Sequence, residues 1–365
     1  MTGKDGEAPV LAFVEGRAGV IRLNRPAALN ALNIEMVDAA LRALATFETD
    51  LEVDLVLLEG AGGRAFCAGG DIRFVAASAR AGDGQAEEFW RREYALVLAL
   101  AQAAKPVVAL MDGIVMGGGA GLGIHVRHRI VTDGTRFAMP EVGIGFVPDV
   151  GSTFLLARAP GETGRYLALT GDTFDAADVI HAGLADSHVP ADSLPALREA
   201  LVHGEDGVDQ TIARFATRPG PGLFAEQEAA ISRAFRHDGV QDIVEALGNR
   251  STEFARRTLD TLNRRSPRSL LATMELLRRA KQAADLSECL VNEFHAACRC
   301  LASPDYHEGV RAAVIDKDRN PHWACDTLEG ALEADGLDPV PGVADPDFAP
   351  DLGPARLPAA LRAAH

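Results

Sequence analysis

The sequence predicts an α/β protein, with a core of alternating strands and helices over residues 1–205 and a helical region over residues 206–335. Two observations lead to this prediction. In the first half of the chain, short apolar runs of strand type alternate with helical patterns, which is typical of an α/β layer. From about Asp192 the strand patterns fade, and the segments that follow keep only the spacing of amphipathic helices.

A β-hairpin and a helix are the first elements that the sequence predicts. Residues 11–14 and 20–23 are apolar runs that flank a turn with two glycines at 15–19. After them, Asn33 precedes apolar residues that recur on one helical face. Because asparagine is a preferred N-cap, we expect a helix to begin directly after Asn33.

Two apolar strands are predicted next, at residues 53–58 and 107–111, and each is followed by an acidic residue and a glycine. A helix at 89–103 separates them, and residues 129–132 resume the strand pattern. Both apolar strands therefore lead into glycine-containing loops.

The helical region and the C-terminal tail differ in composition. Helices are predicted at 194–203, 225–235, 242–247, 252–262 and 269–300. The Ser266-Pro267 pair marks a break, since the residue before a proline disfavours the helical conformation. Six prolines fall within residues 336–365, so we expect this tail to be extended or disordered.

Composition excludes several classes of function. The formal net charge of −16 opposes binding to nucleic acid and to anionic membranes. The N-terminus lacks the apolar stretch of a secretory signal and the arginines of a transit peptide, so a cytoplasmic location is expected. Five scattered cysteines without a Cys-x-x-Cys pair argue against a disulfide scaffold and a zinc site, and we expect no metal.

Two glycine-rich segments are candidates for binding a ligand through backbone N–H groups. Residues 65–73 follow the first apolar strand, and residues 116–123 follow the second. The second segment fits neither the dinucleotide-binding pattern nor a P-loop. Two loops that each donate one N–H would form an oxyanion hole, although glycines that only permit a tight turn or close packing are the equal alternative.

Two carboxylates stand out in the apolar segment 137–151. Glu141 and Asp149 have no basic residue between them, and acids in such surroundings are candidates for acid/base or nucleophilic chemistry. The alternative for Asp149 is an ordinary helix N-cap. Cys67 lies in the first glycine-rich segment without a visible base beside it, so we interpret it as a small buried residue.

Together the three segments resemble the crotonase (enoyl-CoA hydratase/isomerase) superfamily. The resemblance rests on the segment 66–72, on Lys105-Pro106 with the triplet 117–119, and on the segments 139–141 and 148–151. It implies a crotonase-like spiral of repeated ββα units with a helical C-terminal region. It also implies an oxyanion hole for the thioester carbonyl, formed by the N–H groups of Ala68 and Gly118. The substrate-binding residues that it implies beside them are Gly69, Gly70, Asp71 and Gly117.

Within the superfamily the chain resembles the 3-hydroxyisobutyryl-CoA hydrolases. Hydratases carry a glutamate two residues after the glycine triplet, where this chain has Gly121, whereas Asp149 and the segment 305–323 are similar to the hydrolases. Glu93 resembles the glutamate that lines the hydrolase pocket. The resemblance implies hydrolysis of 3-hydroxyisobutyryl-CoA to 3-hydroxyisobutyrate and CoA in valine catabolism. Glu141 would be the nucleophile or general base, and Asp149 the second acid.

The resemblance also implies groups that bind coenzyme A. Arg22, Arg25, Arg73 and Lys317 are the candidates for its phosphates. No separate cofactor is expected, since coenzyme A is part of the acyl-CoA substrate, and a homo-oligomer is a further expectation. Two alternatives remain open: an enoyl-CoA hydratase or isomerase that uses Glu141, and a non-catalytic binding protein on the same scaffold.

Overall fold

The computed structural model describes residues 8–332 together with residues 345, 346 and 348. The predicted tail at 336–365 lies outside the described residues apart from Asp345, Pro346 and Phe348, so its conformation stays a prediction. Within the described part of the chain, no helix has the length and apolar character needed to cross a bilayer.

Nine strands in the described residues form two sheets. They are β1 (Val10–Glu15), β2 (Ala18–Leu23), β3 (Leu55–Gly60), β4 (Ala65–Cys67), β5 (Val107–Met111), β6 (Ile114–Met116), β7 (His128–Val131), β8 (Arg136–Ala138) and β9 (Ser187–His188). The larger sheet has the order β1-β2-β3-β5-β7-β9, and the smaller one has the order β4-β6-β8. Only β1 and β2 pair antiparallel, as the predicted hairpin requires, and all the other pairs are parallel.

The strands follow a repeating pattern along the chain. In the pairs β3–β4, β5–β6 and β7–β8, the first strand joins the larger sheet and the second joins the smaller one. One or more helices follow each pair. This confirms the prediction of a spiral of repeated ββα units.

Sixteen α-helices occur in the described residues. They are α1 (Ile34–Thr49), α2 (Ile72–Ala81), α3 (Gln85–Ala101), α4 (Gly118–Ile124), α5 (Ser152–Leu156), α6 (Thr163–Thr170), α7 (Ala176–His181), α8 (Leu194–His203), α9 (Val208–Phe215), α10 (Leu223–Phe235), α11 (Val240–Gly248), α12 (Glu253–Leu262), α13 (Pro267–Gln282), α14 (Leu286–Ala302), α15 (Pro304–Val310) and α16 (Leu328–Leu332). The side chain of Asn33 caps α1 by accepting from the Met36 N–H at 2.9 Å, as predicted.

Some helices differ from the sequence-based expectation. The segment 269–300 is not one helix, because Asp285 caps a new helix, α14, by accepting from the Glu288 N–H at 3.0 Å. Helices α2, α5, α6, α7, α9, α15 and α16 were not predicted. The first four lie beside the glycine-rich and acidic segments, where turn-forming residues mask the helical pattern.

The central strands are buried on both faces. In β3, Leu55 and Leu57 pack into a cluster with residues of α8 and α9, whereas Val56 and Leu58 face the main core. This alternation is the two-residue period of a strand. Since Ile212 of α9 belongs to the first cluster, the packing extends past the core boundary that was predicted at residue 205.

The helical C-terminal region folds back over its own core. Helix α14 packs against α3, α13 packs against α5, and α15 packs against the turn that begins at Glu141. These contacts cover the loops that follow the smaller sheet. The candidate site therefore lies between the core and the C-terminal helices.

Candidate active site

The three segments that the sequence singled out meet at one edge of the smaller sheet. Gly69 and Gly70 follow β4, Gly117 and Gly118 follow β6, and Glu141 follows β8. Since the three strands are parallel, the loops after them lie side by side. They border a cavity of about 80 Å³ that α3 and α15 complete. Its lining consists of Ala68, Gly69, Gly70, Ile72, Val75, Phe89, Trp90, Glu93, Met116, Gly117, Gly118, Pro140, Glu141, Ile144, Phe146, Asp149 and Tyr306.

Glycine is required at two positions in the loop after β6. Gly117 has a φ of 48°, in the left-handed region, and a Cβ there would lie 2.8 Å from the Glu141 Oε1 atom. A Cβ at Gly118 would collide with the Glu93 carboxyl group. The glycines therefore let two carboxyl groups lie directly against the backbone at the start of α4.

Two backbone amides point to an oxyanion site, and one of them differs from the prediction. The Ala68 N–H donates to the Leu29 carbonyl at 3.0 Å, so the assignment of Ala68 to the oxyanion hole is wrong. Leu32 forms backbone hydrogen bonds with both neighbours of Gly70. Its N–H donates to the Gly69 carbonyl, and its carbonyl accepts from the Asp71 N–H. Among the described residues the Gly70 N–H therefore has no acceptor.

Gly118, the second residue predicted for the oxyanion hole, carries another amide at this place. It is the first residue of α4, where the N–H groups have no partner within the helix. A Cβ at Gly118 would lie 3.3 Å from the Gly70 nitrogen, which shows how close the two loops approach. Gly70 and Gly118 are thus the pair of amides that a carbonyl oxygen could reach.

Three carboxyl groups surround this edge of the cavity. Glu93, Glu141 and Asp149 are only 2%, 6% and 4% exposed. Burial and the charge of Asp149 hold the pKa of Glu93 well above its usual range, and burial, Asp149 and Glu93 do the same for the pKa of Glu141. Burial raises the pKa of Asp149 to about 7. Such a group can hold and exchange protons near neutral pH.

Tyr94 distinguishes Asp149 from the other two acids. The fully buried Tyr94 hydroxyl donates to Asp149 Oδ2 at 2.6 Å, and this bond opposes the rise in the pKa of Asp149. One carboxyl oxygen of Glu93 and one of Glu141 are buried without a partner among the described residues. Asp149 is therefore the acid on which a negative charge is best stabilised.

Asp149 is not the N-cap of the helix that follows it. The Gly151 and Thr153 N–H groups at the start of α5 donate to the carboxylate of Glu293, at 2.6 and 3.1 Å. Glu293 lies on α14, far along the chain, and was not among the predicted site residues. Its signal in the sequence is an acid on a helix face between the apolar residues Leu290 and Phe294.

Gly121 stands where the resemblance places the first glutamate of a hydratase. The space that a side chain at this position would need is already occupied. A Cβ at Gly121 would lie 2.5 Å from the Val150 Cβ atom. The Val150 side chain, one residue after Asp149, fills this place. A carboxylate at position 121 is thus absent from the sequence and would also have no room.

Asp71 and the coenzyme A candidates Arg22, Arg25, Arg73 and Lys317 are not among the residues that line the cavity. Asp71 caps α2 by accepting from the Phe74 N–H, and it pairs with Arg25 at 3.4 Å, so its carboxylate has a structural role in the fold. Arg22 pairs with Glu59 at 2.6 Å. Arg73 donates to the Val314 carbonyl at 3.2 Å, which joins α2 to the segment that precedes the exposed Lys317.

Aromatic side chains that were not among the predicted site residues form one wall of the cavity. Trp90 stacks on Phe146 with ring centroids 5.4 Å apart, and Phe146 contacts Tyr306 at 5.7 Å. Cys67 lies beneath the site, fully buried, and its thiol contacts the Asn30 carbonyl. Burial raises the pKa of Cys67 to about 12, in agreement with the interpretation of a small buried residue.

The sequence matches one protein family over most of its length. Residues 18–336 match the model of the family described as enoyl-CoA hydratase/isomerase. Among curated proteins, the mitochondrial 3-hydroxyisobutyryl-CoA hydrolase of Xenopus tropicalis is 42% identical, over 90% of this chain and 87% of the relative. The human protein of the same name is 38% identical, over 91% of this chain and 88% of the relative. The names place these relatives in mitochondria, which contradicts the expected cytoplasmic location.

Two solved structures resemble the whole described fold. One, described as a carnitinyl-CoA dehydratase from Mycobacterium thermoresistibile, has a TM-score of 0.88 and 42% identity and covers 94% of this chain and 99% of its own. The other, described as an enoyl-CoA hydratase from Rhodobacter sphaeroides, has a TM-score of 0.83 and 41% identity and covers 91% and 98%. The comparisons therefore agree on the fold, while the names of the relatives indicate different reactions.

Proposed function

Since this chain belongs to the enoyl-CoA hydratase/isomerase family, we propose that within it the chain acts as a 3-hydroxyisobutyryl-CoA hydrolase, an enzyme of valine catabolism. The observation that carries the proposal is the composition of the acid cluster. Asp149, held by Tyr94, supplies a second acid beside Glu141, and Val150 fills the space of the first glutamate of a hydratase.

The two free amides support thioester chemistry. The thioester oxygen accepts from the Gly70 and Gly118 N–H groups, which stabilise the negative charge that develops on it during attack on the carbonyl carbon. Removal of one such donor in other enzymes lowers the rate by about 10²–10³-fold. The glycines at 69, 70, 117 and 118 allow the acyl group to approach the backbone.

Glu141 attacks the thioester carbon or activates a water molecule that attacks it. In the second case a proton moves from water to a carboxylate, the hydroxide forms the new C–O bond, and the C–S bond breaks. The sulfur takes a proton, which gives free coenzyme A and the carboxylic acid. In the first case an anhydride with Glu141 forms as the thiol leaves, and water then hydrolyses it.

The raised pKa values of Glu141 and Asp149 support different roles for the two acids. Glu141 needs to lose its proton before it acts, and Asp149, with a pKa near 7, is an acceptor in the same cavity. Asp149 then returns the proton to the leaving thiolate. Two acids that share protons in this way can exchange the roles of base and acid within one reaction.

The size and lining of the cavity favour a short acyl group. Its volume of about 80 Å³ is lined by aromatic side chains and by the carboxyl groups of Glu93, Glu141 and Asp149. Glu93, with one oxygen unpartnered among the described residues, is an acceptor or donor for a hydroxyl on the acyl chain. Arg73 and Lys317 are the cations that we assign to the coenzyme A phosphates.

Hydration of an enoyl-CoA is the second candidate, because the two similar solved structures carry the names of a hydratase and a dehydratase. Such a reaction needs an acid and a base on either side of the double bond. Glu141 and Glu93 remain available for it, although position 121 has no room for a carboxylate. Both activities are therefore measured in the same experiment.

The test uses wild-type protein, Glu141→Gln, and Glu35→Gln as a control in which an exposed glutamate of α1 changes in the same way. We expect wild type and the control to release free coenzyme A from 3-hydroxyisobutyryl-CoA, and Glu141→Gln to lose at least about 100-fold of kcat. Free thiol is monitored with a colorimetric reagent, and hydration of a short enoyl-CoA is monitored by absorbance. Hydration without thiol release contradicts the proposal.

A further inference from the structure

The backbone directly after Asp149 is strained. Val150 has a φ of 55° and Gly151 has a φ of 78°, both in the left-handed region. For a β-branched residue such as valine this conformation is a clear outlier and is energetically unfavourable. Such a turn persists only where the surrounding structure holds it in place. Because Asp149 immediately precedes the turn, the turn sets the direction of its carboxyl group.

A single carboxylate holds the far side of the turn. Glu293 Oε2 accepts from the Gly151 N–H at 2.6 Å, and Glu293 Oε1 accepts from the Thr153 N–H at 3.1 Å and from the Thr153 hydroxyl at 2.5 Å. Glu293 is fully buried and lies 142 residues further along the chain than Gly151. A side chain of the C-terminal region thus satisfies the first amides of α5.

Two further contacts fix the near side of the turn. The His125 imidazole hydrogen-bonds the Val150 backbone, and burial lowers the pKa of His125 to about 4, so the ring is neutral. The Val150 side chain packs against Gly121 of α4. These contacts orient Val150, and the Glu293 carboxylate orients the residues that follow it.

We propose that Glu293 is a positioning residue that holds the Val150–Gly151 turn so that Asp149 faces the cavity. The inference deepens the proposed function, because it rests on the role of Asp149 in thioester cleavage. It also gives the helical C-terminal region a part in the active site. Helix α14 carries Glu293 and also carries Phe294, whose ring meets the Tyr94 ring edge to face at 6.4 Å.

The arrangement requires two acceptor oxygens at position 293. Oε2 accepts from the Gly151 N–H, and Oε1 accepts from the Thr153 N–H. Burial raises the pKa of Glu293 to about 8, whereas the bonds from Thr153 and Gly151 favour the ionised form. In a glutamine, one of the two oxygens becomes an NH₂ group, which would face an N–H donor of the turn.

The experiment compares Glu293→Gln with Glu288→Gln, an exposed glutamate on the same helix that loses the same charge. We expect Glu293→Gln to lower kcat for thiol release by about 100-fold, the order of loss that follows a small misplacement of a catalytic group. KM stays close to the wild-type value, since the cavity walls and the glycine amides are unchanged. Glu288→Gln keeps both values. Equal kcat in Glu293→Gln and Glu288→Gln overturns the inference.

A second variant covers the case in which Glu293→Gln does not fold. Thr153→Val keeps the carboxylate and both backbone bonds and removes only the hydroxyl donor to Glu293. Loss of one hydrogen bond to a charged group predicts a fall in kcat of about tenfold, with the protein still folded by circular dichroism. A Thr153→Val enzyme with wild-type kcat also overturns the inference.

Crystal structures of wild type and Glu293→Gln separate the inference from the proposed function. If wild type releases no thiol from any short acyl-CoA, the proposed function fails, and the turn itself remains measurable. We then expect Val150 in the variant to leave the left-handed region and the Asp149 carboxyl group to move away from Tyr94. An unchanged turn contradicts the positioning role, whatever the reaction is.

Discussion

At the scale of single residues, the site is a cluster of acids that the folded protein keeps partly protonated. Glu93 and Glu141 each have a buried oxygen without a partner among the described residues, and only Asp149 receives a hydrogen bond from Tyr94. Water would solvate these groups better than the cavity does. The cluster therefore lowers the stability of the fold while it provides groups that exchange protons near neutral pH.

The free-energy cost of burying the Glu141 carboxyl predicts that Glu141→Gln stabilises the protein. The stabilisation should be larger at high pH. The folded-state pKa of Glu141 lies well above its ordinary value of 4.5, so the folded state holds a proton that the unfolded chain releases. Stability of wild type therefore falls as pH rises above that value. Glutamine has no such proton, and we expect its free energy of unfolding to exceed that of wild type by about 1–3 kcal/mol at alkaline pH.

Thermal or urea unfolding of wild type, Glu141→Gln and Glu35→Gln at about pH 5 and about pH 9 measures this difference. The stabilisation should grow from the lower to the higher pH in Glu141→Gln. The exposed Glu35 should show no such trend. A stabilisation that is the same at both values would mean that the Glu141 carboxyl does not carry the raised pKa.

At the scale of elements, the sequence predicted what depends on local patterns. The hairpin β1–β2, the strand β5 and the Asn33 cap follow from residues close in the chain, and the structure confirms them. The resemblance to a known family predicted Glu141 and Gly118 as site residues in the glycine and acid segments, and their roles stay a prediction. It misassigned the first amide donor, because the Ala68 N–H is taken by Leu29, which lies far from it in sequence.

What the sequence could not predict depends on contacts between distant segments. The alternative that Asp149 caps a helix was reasonable from its neighbours alone, and it fails because Glu293 of α14 takes that role. From its neighbours alone, Tyr94 is an ordinary residue of a helix. In the folded protein its hydroxyl donates to Asp149. No spacing rule connects these pairs, since they are joined only when α3 and α14 pack around the site.

The aromatic wall gives an element-scale prediction about acyl length. Trp90 of α3 stacks on Phe146 and borders the cavity, so Trp90→Phe enlarges the space without removing the apolar surface. We expect kcat/KM for acyl groups longer by one or two methylenes to rise about tenfold relative to 3-hydroxyisobutyryl-CoA. Trp323, the second tryptophan of the chain, is the matched control, because its indole bonds the Arg264 carbonyl away from the cavity. An unchanged preference in Trp90→Phe, equal to that of Trp323→Phe, contradicts this role of the wall.

At the scale of the whole molecule, residues near the C-terminus reach back to the acid cluster. Asp345 pairs with His295 of α14 at 2.8 Å, and Phe348 is only 6% exposed. The Phe348 ring lies 6.0 Å from the ring of Tyr94. Since Tyr94 donates to Asp149, a residue almost 200 positions beyond Asp149 packs against its hydrogen-bond donor.

This packing predicts that Phe348 supports the reaction through Tyr94. Phe348→Ala removes the ring and leaves Tyr94 without an apolar neighbour on that side, so the hydroxyl is held less firmly on Asp149. We expect kcat for thiol release to fall by about 3–10-fold, corresponding to about one weakened hydrogen bond. Phe348→Leu, which keeps most of the apolar volume, should retain most of the activity. If Phe348→Ala and Phe348→Leu both match wild type, the C-terminal contact contributes packing alone, and Tyr94 is held by Phe294 and the rest of α14.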